Sequence, residues 1–187
     1  TWGCGSFSRL GHNGHQDILA PSRLGSLEGP NPKTAWRGKD RKLFGASKIV
    51  VVAAGKLHTV AVAKGGVLWV WGCGDYGRLG LGNRDEMLVP TWLGAGEVFG
   101  GSLVRMASCG AFHTLVATEE GVVWAFGCGA HGLGLNKKDD TLVPTRVDPQ
   151  RFDGAQVATI AGGWFHSAAV TEGGALFTWG RGKADSD

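Results

Sequence analysis

The sequence predicts an all-β chain built from short strands in a repeated unit, and three observations carry that prediction. The first is its 33 glycines in 187 residues. Glycine inside a helix costs about 1 kcal/mol relative to alanine, so this density leaves few windows in which a helix survives. The longest glycine-free window, Leu135 to Asp153, is interrupted by Pro144 and Pro149, which remove donors and break a helix again. The second is a recurring histidine. His58, His113 and His166 stand 55 and 53 residues apart, each three residues after a glycine (Gly55, Gly110, Gly163). The third is an aromatic pair two residues apart, Trp69/Trp71, Trp124/Phe126 and Phe177/Trp179, a spacing that puts both rings on one face of a strand.

The unit reads in order as four strands. An inner strand precedes each Gly-x-x-His (Ile49 to Ala53, Leu103 to Ala107, Val157 to Ala161). A second follows the histidine as a small residue and an apolar run: Thr-Val-Ala-Val, Thr-Leu-Val-Ala, Ser-Ala-Ala-Val. A glycine turn then leads into the strand that carries the aromatic pair. A Gly-Cys-Gly or Gly-Arg-Gly string follows it, extended in the better copies into a glycine loop ending in Leu-Gly. A proline segment closes the unit (Leu19 to Ser22, Leu88 to Thr91, Leu142 to Thr145), and a residue without an N–H suits an edge strand. Four short strands in about 50 residues is the content of a propeller blade.

The string apolar–small–small–Gly–x–x–His–small–apolar–x–apolar runs fully from Val52 to Val62 and closely from Ala161 to Val170, with Ala117 ending the middle copy. Trp-Gly-x-Gly-x-x-Gly-x-Leu-Gly-x-Gly is well kept from Trp71 to Gly82. Ser8 replaces a glycine in the first copy, and the third is shortened at Gly132-Leu133-Gly134. On these strings the chain resembles the regulator of chromosome condensation repeat family. The resemblance implies a β-propeller of four-stranded blades, with about three blades present where full family members have seven. We expect residues 1–24 to end one blade and 25–48 to form an insert and connection. Blades at 49–102 and 103–156 follow, and 157–187 starts the next. The chain starts and stops on the same landmark, Trp2-Gly3 and Trp179-Gly180. It therefore reads as a slice of a larger propeller, the alternative being copies that associate through open blade edges.

Several function classes are excluded. Gly72-x-Gly74-x-x-Gly77 and Gly127-x-Gly129-x-x-Gly132 match a dinucleotide fingerprint, but no helix can follow where the chain runs through glycines to Pro90 or Pro144. No nucleophile or phosphate-loop motif occurs, so no catalytic residue, cofactor or metal is expected and the chain is read as no enzyme. Cys4, Cys73 and Cys128 repeat at one position in separate units and no C-x-x-C exists, a poor arrangement for a disulfide or zinc. The repeated histidines are read as structural, bonding backbone groups beside the glycine turns, together with Trp71, Phe126 and Trp179. Net charge is +3, too small to argue for nucleic acid. No apolar run approaches the ~20 residues of a membrane span, and the first residues lack a signal peptide's pattern. A nuclear or cytoplasmic, non-secreted location is expected.

Propellers of this family act as rigid discs whose loops bind macromolecules. The resemblance therefore implies a non-catalytic interaction scaffold with a protein partner, a small GTPase or another macromolecule, with nucleosome or DNA as a further candidate. The alternative is a guanine-nucleotide exchange factor for the small nuclear transport GTPase with chromatin binding. That member uses acidic residues in some Gly-x-x-His segments, and the matching positions here are Lys56, Leu57, Ala111, Phe112, Trp164 and Phe165, none of them acidic. A plant light receptor of the family uses clustered tryptophans with arginines in a Gly-Trp-Arg-His-Thr string, and Phe165 stands where that arginine would be. Lys56, Leu57, Phe112, Trp164 and Phe165 are the candidate interaction residues at one rim, joined by Trp36 and Arg37 of the basic insert.

Overall fold

The computed structural model describes residues 1–24, 47–94 and 96–181. Trp36 and Arg37 lie outside the described residues. Among the described residues eleven strands follow the repeat. β1 (Ile49–Ala54), β2 (His58–Ala63), β3 (Val67–Gly72) and β4 (Met87–Gly94) form one antiparallel sheet in sequence order. β5 (Val104–Cys109), β6 (His113–Thr118), β7 (Val123–Gly127) and β8 (Thr141–Arg146) form a second. β9 (Val157–Gly162), β10 (His166–Thr171) and β11 (Leu176–Gly180) form a third, of three strands. Among the described residues the only helical pieces are short 3-10 turns. The chain is thus a partial propeller of about three blades.

Each histidine opens the second strand of its sheet, and those strands are the most enclosed: every residue of β2 and β6 is buried. β2 pairs in unbroken register with β3 from His58↔Gly72 to Ala63↔Val67. Bulges interrupt β1 and β4 instead, at the margins where a ladder can bend. Apolar side chains of one sheet meet those of the next. Val60, Val62 and Phe99 pack with Val104, Val116 and Phe126 in one cluster. Leu115, Val123 and Phe152 pack with Val157, Ile160 and Ala169 in the other.

The aromatic pair explains how sheets stack. Trp124 meets the ring of Phe99 edge-on, 5.7 Å between centroids, on the connection that leaves β4. Phe177 and Trp179 meet Phe152 in the same way at 5.6 Å. The second and third sheets therefore press rings onto the turn that ends the sheet before them.

The proline segment of the first unit keeps the register of the second, Gly3↔Ile18 matching Gly72↔Met87. Residues 19–22 form no ladder; the contact reduces to the Gly3↔Ile18 bridge and two bonds between Thr1 and Ser22. The N-terminal segment instead docks on the first sheet, where Thr59 Oγ1 and Trp71 Nε1 both donate to the Arg9 carbonyl, at 2.8 and 3.0 Å.

Candidate functional site

The Gly-x-x-His loops of the three sheets come together at one rim, and a repeated hydrogen-bond relay holds them there. His58 Nε2 lies 2.9 Å from Thr114 Oγ1, on the second strand of the next sheet. The Thr114 hydroxyl has a single proton and donates it to the Arg78 carbonyl at 2.7 Å. Its oxygen must then accept from His58, which fixes the proton on Nε2. One repeat later His113 Nε2 meets Ser167 Oγ at 2.9 Å, and Ser167 donates to the Gly132 carbonyl at 2.7 Å. The histidines were expected to bond backbone groups. They reach it through the hydroxyl of the neighbouring sheet, because the small residue after each histidine faces back toward the preceding blade. His166 is exposed at the face of the third sheet.

The glycine three residues earlier is required by the ring itself. A Cβ on Gly55 would stand 2.7 Å from His58 Cε1 and 2.5 Å from the Gly110 carbonyl oxygen of the next loop. Burial, with the Arg78 guanidinium and the His113 ring as further like charges, pushes the His58 pKa down to about 3. Burial and the rings of His131 and His166 push that of His113 down to about 4. Both are neutral donors at physiological pH.

This relay seats the rim side chains. Lys56 N donates to the Gly110 carbonyl of the adjacent loop. Arg78 is fully buried; its Nη1 donates to Ala111 O at 3.0 Å and its Nε to Asp75 O at 2.9 Å, so it staples the glycine loop of one sheet to the Gly-x-x-His loop of the next. Phe112 becomes the hub. It stacks on Phe165 at 5.6 Å and 12°, meets Tyr76 edge-on at 5.6 Å and 88°, and lies against His131 at 5.3 Å. His131 also reaches Phe165, at 4.8 Å, and Trp164 adjoins Phe165 at 6.0 Å. Lys56 Nζ sits 4.7 Å from the Trp164 ring and 5.7 Å from Phe112. The Arg78 guanidinium lies 5.5 Å from Tyr76 and 5.4 Å from Phe112. Trp164 is 55% exposed, Tyr76 40% and Phe165 38%, so the cluster offers aromatic faces to solvent across three sheets.

The structure brings Lys56, Phe112, Trp164 and Phe165 together. Leu57 is half-buried in the same loop, with its carbonyl accepting from Cys73 N at 2.8 Å. Tyr76, Arg78 and His131 were missed as site residues. Their signal is the repeat itself: Phe7, Tyr76 and His131 stand at one position of the glycine string, and the latter two reach the Gly-x-x-His loop of the next sheet. Tyr76 does so with φ 61°, a left-handed backbone that few non-glycine residues adopt. Among the described residues, no group of three or more His, Cys, Asp and Glu side chains could hold a metal ion. Nor, among them, is any helix long and apolar enough to cross a membrane.

Comparison with known proteins agrees with this architecture. The family model of the regulator of chromosome condensation (RCC1) repeat matches residues 65–117 and 120–170, and a second RCC1 repeat model matches 49–78 and 157–184. The chain is 35% identical over 184 residues to the ultraviolet-B receptor UVR8 of Arabidopsis thaliana, covering 98% of this chain and 37% of the receptor. It is 33% identical to the human E3 ubiquitin-protein ligase HERC2, covering 97% of this chain and 4% of the ligase. Among solved structures, human WBSCR16 superimposes with a TM-score of 0.76 at 28% identity, over 96% of this chain and 42% of that one. The chain thus spans less than half the length of these relatives, whose roles are diverse. With the repeat strings, the stacked sheets and the matched family models in agreement, the chain belongs to the regulator of chromosome condensation repeat family.

Proposed function

We propose that this chain is a non-catalytic protein-interaction unit whose contact surface is the rim of Gly-x-x-His loops, centred on Lys56, Phe112, Trp164 and Phe165. One observation carries the reading. Large aromatic side chains, which bury the most area on association, stand half-exposed and preordered by stacking across separate sheets. A side chain already held in one rotamer loses little entropy when a partner covers it. Leu57 belongs to the same loop and supports its geometry. The exchange-factor alternative draws no comparable support, because no acid occupies the six loop positions between each glycine and histidine.

The test is a binding measurement with the chain and a Trp164→Ala, Lys56→Ala double variant. Both residues are exposed, so the variant keeps the wild-type circular dichroism and melting temperature. Loss of a partner retained by the wild-type chain is expected. Undiminished retention by the folded variant overturns the assignment of the rim.

A further inference from the structure

Two cations of the rim, Lys56 and Arg78, enter no ion pair among the described residues. Lys56 is exposed and lies against Trp164 and Phe112, while Arg78 is buried beneath Tyr76 and Phe112. Among the described residues the ion pairs are His15–Glu86, Arg84–Asp140 and Arg105–Glu172, and neither rim cation takes part. The acid closest in sequence to Arg78, Asp75, accepts from the Cys73 thiol at 3.1 Å.

The electron-rich ring faces attract cations, yet the protein's own lysine and arginine already occupy them. An arriving ammonium or guanidinium would meet Lys56 as a like charge. An arriving carboxylate would meet an ammonium fixed in position, with no internal acid to displace. Trp164 lies against that ammonium and Phe165 adjoins Trp164, both with exposed apolar surface.

Resting on the reading of the rim as an interaction surface, we propose that it binds an acidic peptide segment of a partner protein. A carboxylate is placed on Lys56 Nζ and a neighbouring apolar side chain on Trp164 and Phe165. A nucleic acid strand fits less well. Such a strand needs cations along its whole track, whereas within the aromatic cluster Lys56 is exposed and Arg78 is buried.

The test selects short random peptides displayed on phage against the folded chain. Affinities of the enriched sequences are then measured by fluorescence anisotropy for wild type, Lys56→Ala, Lys56→Arg and Trp164→Ala. Enriched peptides should pair Asp or Glu with an apolar residue. Lys56→Ala should weaken them about tenfold and Lys56→Arg should restore most of the loss, since arginine keeps a cation on the rings. Affinity should also fall several-fold as salt screens the contact. Enrichment without acidic residues, an affinity insensitive to Lys56→Ala, or tighter binding of an oligo-dT strand than of any peptide would overturn the proposal. The two readings fail separately. Non-acidic peptides lost on Trp164→Ala leave the rim as the surface and remove only its acidic preference. Peptides indifferent to Trp164→Ala remove the rim itself.

Discussion

At the scale of single residues, Thr114 shows how little chemistry joins one sheet to the next. Its hydroxyl accepts from His58 and donates to Arg78 O, all of it buried. Thr114→Val keeps the shape and strands a histidine N–H and a carbonyl, a loss of roughly 2–4 kcal/mol at about 1–2 kcal/mol for each orphaned group. Thr114→Ser keeps the hydroxyl and should cost less than half of that, as Ser167 does the same work one repeat later. Urea denaturation of the two variants checks the difference, and equal losses would contradict the relay.

The histidines also fix a pH dependence. His58 and His113 titrate at about 3 and about 4 when folded, against 6.5 ordinarily. The unfolded chain therefore binds more protons below pH 6.5. Their stabilising contribution is complete above that value and shrinks as pH falls toward the folded values, by up to about 1.4 kcal/mol per pH unit for each histidine. His58→Gln should flatten the slope of urea stability just below pH 6.5. An unchanged slope would mean that the ring is not held neutral.

At the scale of elements, the strands were legible because each repeats three constraints at once. The histidine after Gly-x-x, the ring pair two residues apart and the proline at the edge are each tied to one place in the sheet. The sequence was silent where a contact depends on a partner one repeat away. The histidine's true partner was hidden, since a hydroxyl one repeat away leaves no local trace except a small residue after each histidine.

Gly55 belongs to this scale because its missing Cβ lets two loops close. Gly55→Ala would press on the His58 ring and on the Gly110 carbonyl oxygen. It should lower stability by about 1–3 kcal/mol, as overpacking does, seen as a lower melting temperature. By contrast Arg84–Asp140 links the outer loops of two sheets at 2.8 Å with the arginine largely in water. Arg84→Ala should change stability by less than about 1 kcal/mol.

At the scale of the whole molecule, the relay and the rim are two sides of one loop. His58 and His113 tie their Gly-x-x-His loops inward, and Lys56, Trp164 and Phe165, between glycine and histidine, are left exposed. Lys56, Phe112, Trp164 and Phe165 could be picked from the sequence by that position alone. Tyr76, Arg78 and His131 could not, because they arrive from the glycine loop of the preceding sheet and join the site only through stacking of sheets. The most direct test of the rim as the contact surface is amide hydrogen exchange of the chain, free and saturated with a protein partner. Slowed exchange should concentrate in residues 55–58, 74–78, 110–113, 129–132 and 163–166, the loops that carry the cluster. Protection confined instead to the turns at the opposite end, residues 63–67, 118–122 and 171–175, would place the partner on the other face and contradict the account.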